Sequence, residues 1–211
     1  MFGGDVNTLS LSGYLTEFTR LLRAVSVTDG EQVGIQVDSA ADRVVQLILT
    51  ARARGNKVML IGNGGSAAIV SHFHNDLSKA VGVRTLVFNE LPLMTALAND
   101  EGYARVFDRP IAMWADPGDM LIAISSSGSS ENIVRGATGA LAAGATLITL
   151  SGFQSNNPLR ALGQVNFYIP SDHYGMVEQV HSVLTHYFSD AAALEANRNV
   201  PRVKRDGLLA A

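Results

Sequence analysis

The sequence predicts a doubly wound α/β fold built on about five parallel strands. Short, near-continuous apolar runs recur along the chain, the mark of strands covered on both faces of a sheet. Most are separated by roughly 20 to 35 residues, long enough for the crossover helices that parallel strands require. Hydrophobic residues make up 47% of the 211 and charged residues 17%, which fills one sizeable core and excludes disorder for most of the chain.

The chain opens with two helical patterns. Leu11, Leu15, Phe18, Leu22 and Val25 recur at helical spacing, and Val37, Ala41, Val44, Val45, Ile48 and Leu49 do so across 36–54. The N-terminal third carries no strand signal, so two leading helices are expected, packed on the sheet or forming an oligomerisation surface. Five strands follow at 57–61 (KVMLI), 84–88 (RTLVF), 120–124 (MLIAI), 146–150 (TLITL) and 166–169 (NFYI). Pro117-Gly118-Asp119 and Asn157-Pro158 punctuate the turns. A last helical pattern spans 176–188. Residues 1–197 read as a single domain. Residues 198–211, with Arg198, Arg202, Lys204 and Arg205, read as a flexible basic tail.

Charge narrows the function. Sixteen Lys and Arg against 19 Asp and Glu give a net charge of −3, which is not the footprint of a nucleic-acid binder. There is no cysteine, hence no disulfide, thiolate nucleophile or thiolate zinc site. The first residues have neither a basic nor an apolar signal region, and no apolar stretch reaches membrane-spanning length unbroken. A cytoplasmic protein without membrane or nucleic-acid partners is expected.

Two loops look built for phosphate. The first strand runs into GNGGSAA (62–68), where glycines let the backbone approach a ligand and the next helix presents free N–H groups. The third ends in SSSGSSEN (125–132), whose hydroxyls and N–H groups satisfy phosphate oxygens without a fixed cation. Both follow carboxyl ends of strands, where open α/β sheets bind ligands. Neither has the lysine or ribose-reading acid of a nucleotide site. A phosphorylated small molecule is therefore the leading ligand class.

Four of the five histidines fall in two short helical segments. His72 and Asp76 are four apart and share a face, whereas His74 lies about 200° round the helix. Glu178 and His186 are eight apart, about 80° in azimuth, so one ligand between two helices meets both. Two histidines and two carboxylates make an N₂O₂ set suited to zinc.

GNGGSAA, SSSGSSEN and the intervening Ala98-Asn99-Asp100-Glu101-Gly102-Tyr103 resemble a sugar isomerase (SIS) domain, of flavodoxin-like topology, over about 45–190. His72-Phe73, Ala98-Asn99-Asp100, Gln179-Val180-His181 and His186 are similar to the phosphoheptose isomerase subgroup. The resemblance implies a ketose–aldose isomerase that converts sedoheptulose 7-phosphate, or a close relative, to the aldose through an enediol. It implies one zinc per subunit held by His72, Asp76, Glu178 and His186, with Asp76 and His186 as base and acid. It implies phosphosugar contacts from Asn63, Ser66, Asp100, Ser125, Ser126, Ser127, Ser130 and Glu178, and a homotetramer with active sites at subunit interfaces. The chain departs from the family pattern in Asp76 for Glu, Glu178 for Gln and Gly175 for Asp. Those departures leave an alternative: a non-catalytic SIS module that binds phosphosugar or serves as a replication-initiator adaptor.

Overall fold

A computed structural model of the chain describes residues 10–198, so the tail predicted for 198–211 lies outside the described residues except for Arg198. Both leading helices form, as α1 (Leu11–Arg23) and α2 (Val37–Arg54). Ser10 caps α1 by accepting from the Gly13 N–H, and Gly55 ends α2 in the left-handed region at φ 71°.

All five expected strands are present: β3 (Lys57–Gly62), β4 (Arg84–Val87), β5 (Met120–Ser125), β6 (Thr146–Ser151) and β7 (Val165–Tyr168). They pair in parallel. The sheet nevertheless has seven strands, in the order β2-β1-β7-β6-β5-β3-β4. The additions are β1 (Ser26–Asp29) and β2 (Gly34–Ile35), between the leading helices. β1 runs antiparallel to β7, with Val27 opposite Phe167, and β2 runs antiparallel to β1. This corrects the expectation of no strand in the N-terminal third. Four residues and two are too few to show a period, and β1 is held by pairing with a partner about 140 residues away in sequence.

Alternation along the buried strands divides the core in two. Val58 and Leu60 of β3 face α2, α3 (Gly64–Asp76) and α7 (Tyr174–Asn197). Met59 and Ile61 face α5 (Asp108–Trp114) and α6 (Glu131–Ala142), with α4 (Leu91–Glu101) packed less deeply on that side. The chain therefore winds on both faces. From β3 it steps outward to β4, then back across to β5, so the sheet order reverses between β3 and β5. Their carboxyl ends open the crevice where such folds place ligands.

At the opposite end, the amino ends of β3 and β5 are clamped by charge. The Asp119 carboxylate accepts from the Lys57 and Asp116 backbone N–H groups at 2.9 and 2.8 Å and from Lys57 Nζ at 2.5 Å. Lys57 Nζ also reaches Asp116 at 2.7 Å. Burial alone pushes the Asp119 carboxyl up, but these donors outweigh it and hold it below the usual carboxylate range.

Candidate active site

The loops after β3 and β5 meet at the switch point through an amide pair. Asn63 and Asn132 exchange two hydrogen bonds of 2.9 Å, and Tyr103 Oη donates to Asn63 Oδ1 at 2.9 Å. This changes how the helices begin. Asn63 and Ser130 hold the N-cap positions of α3 and α6, and both are strong capping residues, yet neither side chain makes a capping bond. The first-turn N–H groups of α3 are thus left without a side-chain cap, and the positive ends of both helices point into one space.

That space is a cavity of about 200 Å³. Asn63, Ser66, Ser125, Ser126, Ser127 and Ser130 all line it, together with Glu178 and Tyr174. Gly62 is required here, because a Cβ would stand 2.7 Å from the Ser66 carbonyl. Ser126 Oγ is buried with no hydrogen-bond partner. Glu178 brings the one carboxylate of the lining, and it lies directly against Gly65, in space that a Cβ at that position would need.

A second cluster forms along α3. His72 Nε2 is 3.3 Å from Asp76 Oδ2, and His186 Nδ1 is 3.5 Å from the same oxygen. The two imidazole rings stand 4.9 Å apart. One donor atom from each of the three lies within 4.8 Å of the others. The two helices produce this directly: His72 and Asp76 stack one turn apart on α3, and α7 crosses beside them with His186. Immediately after Asp76 the helix widens into a π-helical turn, Leu77–Val81, closed by Gly82 at φ 76°. Such turns recur at functional positions.

Of the expected site residues, seven therefore share the serine cavity and three form the imidazole–carboxylate cluster. Glu178 belongs to the first group, outside the three-residue cluster. Asp100 belongs to neither: it sits in the last turn of α4, exposed, accepting from Asn99 Nδ2 at 2.9 Å. The sequence reading gives Asn132 and Tyr103 no role in the site. Asn132 and Tyr103 lie inside the quoted motifs, but only the fold brings them to Asn63.

Behind the cavity, His181 of α7 is fully buried with Nε2 3.4 Å from the Ser151 carbonyl oxygen. Burial pushes its pKa down to about 4, so the ring is neutral at physiological pH and serves packing rather than charge.

Residues 13–152 match the SIS domain family. A phosphoheptose isomerase of Aquifex aeolicus is 34% identical over 153 residues, covering 68% of this chain and 78% of that protein. One from Shewanella frigidimarina is 32% identical over 162 residues, covering 73% and 80%. The chain belongs to the phosphoheptose isomerase branch of the SIS domain family. A solved phosphoheptose isomerase GmhA from Neisseria gonorrhoeae superposes on this SIS domain with a TM-score of 0.75 at 23% identity, covering 86% of this chain and 96% of that one. That likeness is of fold. Among the described residues, no helix is long and apolar enough to cross a membrane.

Proposed function

We propose that this SIS domain is a cytoplasmic ketose–aldose isomerase of a phosphorylated heptose, interconverting sedoheptulose 7-phosphate and D-glycero-D-manno-heptose 7-phosphate or a closely related pair. One observation carries the reading. The N-terminus of α3, which has no side-chain cap, the start of α6 and four loop serines form an anion cradle, and the His72–Asp76–His186 cluster lies about 12 Å further along α3. The phosphate takes the cradle, and the carbonyl end reaches the cluster. Asn63 keeps one amide hydrogen for the sugar. Glu178, whose charge repels phosphate, binds hydroxyls of the carbon chain, and Asp100 binds a further hydroxyl.

Isomerisation needs a base beside the carbon that loses its proton and an acid beside the carbonyl oxygen. Asp76 takes a proton from C1 and His186 protonates the C2 oxygen; the enediol then collapses to the aldose as Asp76 returns its proton to C2 and the C1 hydroxyl gives its proton to His186. The donor set of two imidazoles and a carboxylate suits zinc, with a fourth position open as in catalytic sites. Held by His72, Asp76 and His186, zinc would supply Lewis-acid stabilisation of the charge developing on oxygen, and Glu178, the fourth ligand implied by the family pattern, stands outside this set in the serine cavity. Aldose formation from sedoheptulose 7-phosphate that is abolished by a chelator and restored by zinc is the expected result. Turnover indifferent to chelation contradicts the metal, and no turnover contradicts the substrate.

The same reading includes a homotetramer with interfacial sites. Leu11 and Leu15 of α1 and Val183 and Tyr187 of α7 are exposed, the last pair beside His186. Light scattering at the mass of one chain contradicts it.

A further inference from the structure

Among the described residues, two that are not glycine have positive φ, Gln32 at 62° and Phe153 at 57°. Gln32 occupies the turn between β1 and β2, an ordinary place for that conformation. Phe153 does not. It follows Gly152 after β6, and a bulky side chain in the left-handed region carries a steric cost that glycine avoids. A cost of that kind points to what the side chain does there.

The backbone at Phe153 is fixed from several sides. Its N–H donates to the Ser171 carbonyl at 2.9 Å, and its own carbonyl accepts from Tyr168 Oη at 2.8 Å. The preceding Gly152 N–H donates to the Ser126 carbonyl at 2.9 Å, tying this loop to the serine cradle. Held so, the Phe153 ring meets Tyr174 edge to face, centroids 4.8 Å apart at 74°. Tyr174 is the first residue of α7, one turn before Glu178, and both line the cavity. Tyr174 is itself 61% exposed.

We propose that Tyr174 is the aromatic wall against which the carbon chain of a phosphosugar lies, and that Phe153 is the positioning residue that holds it there. This rests on the phosphosugar reading of the cavity. The C–H faces of a sugar pack on an aromatic ring, while the serines and Glu178 take its polar edge. A glycine at 153 would free the backbone but leave Tyr174 unsupported.

The test is the affinity for sedoheptulose 7-phosphate, measured by calorimetry and so independent of turnover. Tyr174→Ala and Phe153→Gly should each weaken binding about five- to tenfold, and the double variant no more than Tyr174→Ala alone, because Phe153 acts through Tyr174. Phe153→Tyr, which keeps the ring, should bind as the native chain does. In turnover, KM should rise with kcat little changed, the mark of lost uniform binding. Unchanged affinity in Tyr174→Ala, whose exposed side chain the fold does not need, overturns the proposal, as does full additivity in the double variant. A native chain that binds the sugar without isomerising it sinks the enzyme reading alone. A native chain that does not bind it sinks both.

Discussion

Asp76→Ala and His186→Ala each lower kcat by on the order of 10²–10⁴, the usual contribution of a positioned acid or base. Both side chains are partly exposed, 23% and 49%, so neither substitution empties the core, and the melting temperature should stay near that of the native chain. The pairing predicts more than two separate losses. Asp76 Oδ2 lies 3.3 Å from His72 and 3.5 Å from His186, so its removal takes from both imidazoles the carboxylate they share. The double variant should therefore be scarcely worse than either single one, because groups that act as a unit are not additive. Asp76→Glu restores the family residue and tests the reach of the side chain. Steady-state rates on sedoheptulose 7-phosphate decide the matter: full activity in both alanine variants removes the cluster from the chemistry.

Asp119→Ala has the largest expected effect on stability, about 3–5 kcal/mol, because it leaves a buried lysine without its buried partner. The Lys57 side chain is 11% exposed and the Asp119 side chain 1%. The loss includes two backbone donors, the N–H groups of Lys57 and Asp116, which no alanine can satisfy. For a domain of this size the melting temperature should fall by roughly 10 °C. The carboxyl is held below its ordinary value in the fold, so its stabilisation is present above the unfolded pKa of about 3.9 and is lost as pH falls through the folded value. The native chain should lose stability below about pH 4 more steeply than the variant does. Thermal melts at pH 7 and pH 3.5 check both statements, and a variant that melts with the native chain at pH 7 refutes the clamp.

The five parallel strands are legible in the sequence because burial on both faces makes them apolar at nearly every position, a signal that survives without knowledge of neighbours. β1 and β2 are not, since Ser26–Asp29 owes its strand geometry to β7 across the sheet. The two phosphate loops are equally legible, because glycine and serine there answer to local backbone and hydrogen-bonding needs. Glu178 is different. Helical spacing relates it to His186, but which way its carboxylate turns depends on Gly65, whose missing side chain leaves it room. The amide pair of Asn63 and Asn132 joins residues 69 apart, and the support of Tyr174 by Phe153 depends on a backbone angle that Phe seldom adopts. Contacts of that range have no signature in a window of neighbouring residues.

The central claim is that one phosphosugar spans the serine cradle and the His72–Asp76–His186 cluster and loses a proton beside its carbonyl. The most direct measurement is NMR of sedoheptulose 7-phosphate incubated in D₂O with zinc-supplemented protein. The expected result is an aldose product with deuterium at the carbon beside the carbonyl, absent with Asp76→Ala. A sugar that binds but gains no deuterium and yields no aldose would contradict enediol chemistry on this substrate and favour a phosphosugar-binding module.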